Sequence, residues 1–350
     1  MAPRKTVPYV SAVIPARNEE ANIGECVQSL LGQGPVKGRE IEIIVADDGS
    51  EDRTASIVGE LGAVNPSVKL ISVPPLPEGW LGKPHALDCA VKRARGEWLL
   101  FTDADTRHEP EKLAGLIERA ERERLGWISL SPEQETRTWW EKAVIPFVYQ
   151  QLAGLYPFAR VNEPGDPLAA ANGQYILVRQ RVYEALGGHA AVRSSLLEDV
   201  ELAKAAKRAG VPMRFESGEG IVKTRMYRRF GEMWEGWTKN LFLLYDQDYG
   251  AIRRASGQLA GRYLLPAAGG AALLLLGSGW AAGAGGGMLS YLSWEHWRYW
   301  MRLPGKNRGA RSVLLLPGVT LFLLVLWNST LRYSGQEEIQ WKGRRYRAAA

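Results

Sequence analysis

The stretch "LLFTDADTRHEP" (residues 99–110) runs an apolar segment, Leu99 to Phe101, directly into Asp103 and Asp105. Side chains at i and i+2 share a face of an extended chain, and at a strand-to-turn junction both carboxylates can address one hard cation. A buried strand ending in paired acids belongs to a sheet whose ligands sit beyond the carboxyl ends of its strands. The flanking text supports such a sheet. Val10 to Pro15, Ile41 to Asp47, Val68 to Val73, Trp98 to Asp103 and Trp127 to Leu130 are short runs of β-branched or bulky residues. Helical stretches lie between them, near Asn22 to Leu31, Asp52 to Leu61, His85 to Arg95 and Glu111 to Arg124. Strand alternating with helix at this spacing predicts an α/β domain with a mostly parallel sheet flanked by helices.

Two further acidic pairs fall where that layout brings them near the first. Asp47 and Asp48 close the second strand before a Gly49-Ser50 turn, and Glu198 and Asp199 open a helix in "SSLLEDVELAKAAKRAG". Each pair has a local explanation: Asp-Gly favours turns, acids complement a helix N-terminus, and Asp103 with Asp105 can be a solvated strand end. Their combination points further, because carboxylates gathered at several strand ends repel one another unless a cation is present. Mg2+ or Mn2+ takes such oxygen ligands and completes its shell with water and substrate phosphates. A metal-bound diphosphate is the expected guest. His108 reads as a solvated loop residue, with a metal ligand as the rival reading, and His85 and His189 as loop or helix-start residues. Cys26 and Cys89 lack metal-ligand spacing and read as core thiols.

The formal charge of +6 belongs to the chain beyond residue 294, where Arg298, Arg302, Lys306, Arg308 and Arg311 precede a second basic group at Arg332, Lys342, Arg344, Arg345 and Arg347. A nucleic-acid groove is not expected from basicity so confined. The N-terminus starts basic, but its apolar run is short and strand-like, so no removable signal peptide is expected. Tyr263 to Trp294 and Ser312 to Leu331 contain no charged side chain, and about 20 such residues suffice to cross bilayer hydrocarbon. Two or three transmembrane helices are expected over 263–331, the longer run being either one tilted helix or two short helices folded back. An amphipathic interfacial segment is expected over 226–262 and a basic tail over 332–350. The aromatic stretch "TWWEKAVIPFVYQQLAGLYPFAR" either covers the sheet or lies at a membrane surface.

"AVIPARNEEANIGECVQSLLGQ", "EIIVADDGSEDRTASIV", "GWLGKPHALDCAVKRARGEWLLFTDADT" and "LLEDVELA", in this order, resemble family 2 glycosyltransferases of the GT-A fold. The resemblance spans roughly residues 8 to 230, and "AAANGQYILVRQRVYEALGG" extends it to a membrane-associated branch with hopanoid-associated and carotenoid-pathway members. It implies a GT-A catalytic domain over 1–225, cytoplasmic and held at the cell membrane. It also implies an inverting transfer from a nucleotide-diphosphate donor, a UDP-sugar by family preference, to a lipid or lipid-linked hydroxyl. Carried over by position, Pro15, Ala16, Arg17 and Glu19 lie at the base and ribose, Asp47 and Asp48 at the uracil or ribose, and Lys83 at the nucleotide or its phosphates. Asp103 supports the ribose and metal, Asp105 is the main metal ligand, and Asp199, beside Glu198, is the general base. The Gln-x-x-Arg-Trp text of processive members is lacking; the corresponding stretch reads "EGWTKN", which argues against polysaccharide synthesis. That synthesis, and a noncatalytic membrane scaffold with a retained GT-A fold, are the alternatives.

Overall fold

The structure, a computed structural model, describes residues 8–302, 314–335, 338–341 and 344–347. Lys306, Arg308, Arg311 and Lys342 of the two expected basic groups lie outside them. The chain divides into two compact units, one of residues through Glu135 with Tyr156–Met226, the other of Thr136–Leu155 with the chain from Tyr227 onward.

The first unit alternates β1 (Val10–Ala16), α1 (Ile23–Leu31), β2 (Glu42–Asp47), α2 (Thr54–Val64), β3 (Val68–Ser72), α3 (Gly82–Val91), β4 (Trp98–Phe101), β5 (Thr106–His108), α4 (Lys112–Arg122), β6 (Trp127–Ser131) and β7 (Glu133–Gln134). After an excursion into the second unit it continues with α6 (Phe158–Val161), β8 (Ile176–Arg179), α7 (Gln180–Ala185), α8 (Gly188–Ala191), α9 (Glu198–Arg208), β9 (Met213–Ser217) and β10 (Val222–Thr224). Seven strands form one sheet in the order β3-β2-β1-β4-β8-β6-β9. The central strands are buried on both faces, as continuous apolar runs in a covered sheet require. Period-two alternation sends Ile43 and Val45 to one face, with Ile23, Val27 and Leu30 of α1 and Leu113, Leu116 and Ile117 of α4. Ile44 and Ala46 go to the other face, with Ala86, Leu87 and Ala90 of α3 and Leu202, Ala203 and Ala206 of α9. Each such side chain fully removed from water contributes about 1.5–3 kcal/mol.

The expected strands and helices are present, and the sheet is mixed. β8 alone runs antiparallel to both neighbours, β4 and β6. Its first residue, Ile176, therefore pairs with Phe101, the last residue of β4. A reversed strand thus delivers the turn at its start, Asn172 to Gln174, to the edge where the parallel strands end. A second sheet, β5-β10-β7, holds the chain leaving the Asp103–Asp105 turn, with Thr106 paired to Thr224 and His108 to Val222.

The second unit is helical: α5 (Trp139–Leu155), α10 (Phe230–Leu244), α11 (Tyr249–Leu259), a π-helical turn (Ala260–Leu264), α12 (Leu265–Leu275), α13 (Gly279–Arg302) and α14 (Leu315–Ser334), followed by an antiparallel ribbon of β11 (Glu338–Trp341) and β12 (Arg344–Arg347). The aromatic stretch divides: Trp139–Leu155 forms α5 and packs among these helices, Phe147 lying 5.4 Å from Phe322 between ring centres. Tyr156 and Phe158, in the first unit, pack beside Phe215 of β9, covering that edge of the sheet as one reading expected. The uncharged run from Tyr263 folds back on itself, α12 against α13, turning at Gly277 in the left-handed region (φ 68°). With 1.5 Å rise per residue, α12 covers roughly half of the ~30 Å hydrocarbon layer. Among the described residues one helix, Leu315–Ser334, is long and apolar enough to cross a membrane, and 44% of its apolar window is buried within the structure. Of the two or three helices expected over 263–331, this one meets that test, and the longer uncharged run takes the folded-back of its two expected forms.

The hairpin closes through glycine. A Cβ on Gly285 would stand 2.8 Å from the Gly270 carbonyl oxygen, whereas one on Gly286 would meet nothing within 4 Å. Gly285→Val is expected to lower the thermal unfolding midpoint of the detergent-solubilised chain by several degrees, and Gly286→Val to leave it nearly unchanged. Equal midpoints for the two variants would refute this packing.

Candidate active site

A pocket opens at the carboxyl edge of the large sheet. Its walls include Pro15 at the end of β1, Lys83 in the first turn of α3, Thr102 and Asp103 after β4, Gly173 before β8, and Glu198 and Asp199 at the start of α9. The Lys83 ammonium lies between two carboxylates, 2.9 Å from Asp103 Oδ1 and 2.9 Å from Glu198 Oε1. The Glu198 side chain is 7% exposed. Burial alone would lower the lysine pKa, but Asp103, then Glu198 and Asp199, raise it well above the ordinary value. Lys83 therefore stays charged, and the mutual repulsion expected of the acidic residues is balanced here by a protein cation.

Asp199 is held at the head of α9. Its Oδ2 accepts the Gly173 N–H at 2.7 Å and its Oδ1 the Val200 N–H at 2.8 Å. Burial first, then the neighbouring Glu198 charge, raises its pKa to about 6, against the opposing pull of Lys83 and the two amides. A carboxylate near 6 combines real basicity with predominant ionisation at neutral pH, the compromise that proton abstraction requires. A side chain at Gly173 would be tight, its Cβ lying 3.0 Å from Lys83 Nζ and 3.2 Å from Asp199 Oδ2, so both groups would have to give way.

Asp105 stands against the next residue of the same turn. Gln174 Nε2 lies 3.4 and 3.5 Å from its two carboxylate oxygens and donates to Thr224 Oγ1 at 3.1 Å. The Gln174 side chain is buried, and its Oε1 has no hydrogen-bond partner. Behind the acidic turn lies a dry polar network in which Thr102 Oγ1 donates to the Gln174 carbonyl (2.9 Å) and Thr106 Oγ1 to the Asp103 carbonyl (2.8 Å). His108 completes it, Nε2 lying 3.1 Å from Thr102 Oγ1 and 3.2 Å from Thr106 Oγ1. This corrects both readings of His108: it is neither solvated nor in reach as a metal ligand, and burial lowers its pKa to about 3. His189 is likewise buried, its Nδ1 2.9 Å from the Tyr183 hydroxyl. Cys26 is a free core thiol that burial pushes up to about 12.

The first-strand residues hold the neighbouring loop. The Ala16 carbonyl accepts the Asp48 N–H (2.8 Å) and Arg17 Nη1 donates to the Asp48 carbonyl (2.6 Å). Glu19 is buried, its N–H donating to Thr54 Oγ1 and its Oε2 accepting from Asn22. Asp47 Oδ1 accepts the Ser50 N–H at 3.3 Å. Pro15 reaches the pocket with Lys83 and the α9 acids, while Ala16, Arg17, Glu19, Asp47, Asp48 and Asp105 lie outside its wall. Asp105 and Asp199 are linked through adjacent residues, Gln174 and Gly173. Among the described residues no three His, Cys, Asp or Glu side chains gather closely enough to hold a metal ion alone. The sequence reading missed Gly173 and Gln174 because they carry no charge; the Asn172-Gly173 turn signal before "QYILV" was their one trace.

A mixed α/β sheet with a wide acidic edge and a short β5-β10-β7 sheet beside it defines the GT-A class of transferase. A mannosyltransferase of Pyrobaculum calidifontis, solved in complex with GDP-Man and Mn2+, shares this fold, with 19% identity and a TM-score of 0.52 over 93% of this chain and 87% of that one. The family model "Glycosyl transferase family 2" matches residues 11–187. The 4,4'-diaponeurosporenoate glycosyltransferase of Staphylococcus haemolyticus is 31% identical over 241 residues, 68% of this chain and 62% of that enzyme. Its Staphylococcus aureus counterpart is 30% identical over 236 residues, 66% and 60% of the respective chains. The chain thus spans under two thirds of the length of these relatives. It belongs to glycosyl transferase family 2.

Replacing Lys83 by Met leaves Asp103 and the buried Glu198 without their counter-charge. Unfolding in denaturant is expected to show a loss of about 1–3 kcal/mol. Since Lys83 lowers the Asp199 pKa, carboxyl NMR is expected to find Asp199 titrating above about 6 in the variant; an unchanged titration would refute the coupling.

Proposed function

We propose that this protein is a membrane-bound, inverting glycosyltransferase that moves a sugar from a nucleotide-diphosphate donor, a UDP-sugar, to a lipid or lipid-linked acceptor. The observation that carries the reading is the meeting of Lys83, Asp103, Glu198 and Asp199 at the carboxyl edge of the sheet in a chain of this family. Pro15, Ala16, Arg17, Glu19, Asp47 and Asp48 form the nucleotide end of the site. Lys83 offers positive charge to the diphosphate.

Asp105, with Asp103, would hold Mg2+ or Mn2+. The donor set suits such an ion: oxygen donors only, two carboxylates, and beside them a carboxamide oxygen left without a partner. The absence of a three-carboxylate cage among the described residues matches an ion whose remaining ligands are water and substrate phosphates. When bound, the cation supplies charge to stabilise the diphosphate leaving group. Asp199 accepts the proton of an acceptor hydroxyl as it attacks the anomeric carbon, and its two backbone amides keep the carboxylate oriented.

Support for a lipid acceptor comes from the names of the relatives, which act on 4,4'-diaponeurosporenoate, and from the apolar α14. Those names favour a second reading of the acceptor as a carboxylate, which needs no base.

Membranes containing the protein, incubated with a panel of labelled nucleotide sugars, are expected to yield one glycolipid identifiable by mass. A ladder of products from one donor would revive polysaccharide synthesis. Asp105→Asn is expected to abolish divalent-dependent turnover, and full activity in that variant would remove the metal role. For a hydroxyl acceptor, Asp199→Asn is expected to cost about 10²–10⁴ in kcat, and a near-normal rate would select the carboxylate acceptor. Because the base must be ionised and its pKa is raised to about 6, kcat/KM is expected to rise with pH up to about 6 and level off above it. A flat profile between pH 5 and 7 would rule Asp199 out as the base.

A further inference from the structure

The helical unit contains a cavity of its own. Its volume is about 570 Å3, and its lining includes Gln150 and Gln151 of α5, Gln258 of α11, Arg262 and Tyr263 of the π-helical turn and Tyr291 of α13. That size falls among small-ligand pockets, roughly 300–1,000 Å3.

The lining contrasts with its setting. Arg262 and Glu295 bracket the uncharged run that forms the hairpin, and they pair at 3.6 Å across its base. Beyond that pair the hairpin is apolar, and Leu265 (66%), Trp294 (50%) and Trp297, just past its end (54%), are exposed. Charge and aromatic rings together mark the depth at which a bilayer passes from hydrocarbon to headgroups. Arg262 of that pair lines the cavity. Glu295 is buried and shared, since Arg298 also contacts its Oε1 at 3.0 Å. Two guanidiniums against one carboxylate leave one positive charge in excess. Among the described residues the carboxamides of Gln150, Gln151 and Gln258 make no hydrogen bond to another protein group. The π-helical turn that carries Arg262 is a rare element, frequent at functional sites.

We propose that this cavity seats the anionic headgroup of a membrane phospholipid, with the phosphate on Arg262 and the glycerol and ester oxygens on the three carboxamides. A free phosphate has the same charge but no chains to lie on the exposed Leu265, Trp294 and Trp297. The inference rests on the membrane placement proposed above and is independent of the donor and the base.

The test titrates the detergent-solubilised full-length protein with short-chain phosphatidylglycerol and phosphatidylcholine, counting bound lipids by native mass spectrometry. The wild type is expected to prefer the anionic lipid by roughly tenfold, the size of one charge-assisted hydrogen bond. Arg262→Gln and the double variant Gln150→Leu/Gln258→Leu are expected to lose that preference, and Arg262→Lys to keep most of it. Arg298 still neutralises Glu295 in Arg262→Gln, and thermal unfolding checks its fold; if it fails to fold, the glutamine variant decides alone. No preference in the wild type, or an undiminished one in the folded variants, overturns the proposal. Inorganic phosphate displacing the lipid at equal concentration would overturn the lipid as occupant. Flotation of the wild type on neutral vesicles tests membrane placement separately, so flotation without anionic preference sinks the headgroup site alone.

Discussion

The site is organised by one ammonium group placed among carboxylates. Lys83 enters from the first turn of α3, Asp103 from the end of β4 and Glu198 from the start of α9, so three elements distant in sequence are tied by charge at one point. Several acids at a sheet edge would otherwise repel, and Glu198 is almost fully buried. Lys83 sets a positive charge between Asp103 and Glu198, 2.9 Å from each. The same group restrains the Asp199 pKa, which burial and Glu198 push upward. Stability and proton affinity at this edge are therefore two readings of a single electrostatic arrangement.

Much of this was legible beforehand, and the failures have physical causes. The period of apolar runs exposed the alternating strands and helices, and acids at strand ends exposed the edge at which they meet. Strand direction was not visible, because β8 reads as an apolar run whichever way it points. Gly173 and Gln174, already inconspicuous for lack of charge, were further hidden because the reversed strand brings its beginning, not its end, to the site. His108 was misjudged because a histidine after an acidic turn is ordinarily wet. Here Thr102, Thr106 and His108 face one another behind the turn and form a small polar core of their own.

Arg17 and Glu19 show how one motif joins two tasks. The segment is charged, as a ligand-facing loop should be, yet both residues are engaged with the Asp48 loop and the start of α1. Under the proposed function, side chains that fix their own backbone would offer a nucleotide a surface already formed, leaving little to order on binding.

The glycine-lined contact between α12 and α13 bears on how that element comes through a change of solvent. Helices joined by large apolar side chains in water lose their driving force once hydrocarbon surrounds them, since oil competes equally for the same surface. Backbones in close approach, such as Gly285 against Gly270, cohere through dispersion, which does not depend on water being expelled. A contact of this kind would hold the antiparallel pair together in water and in lipid alike.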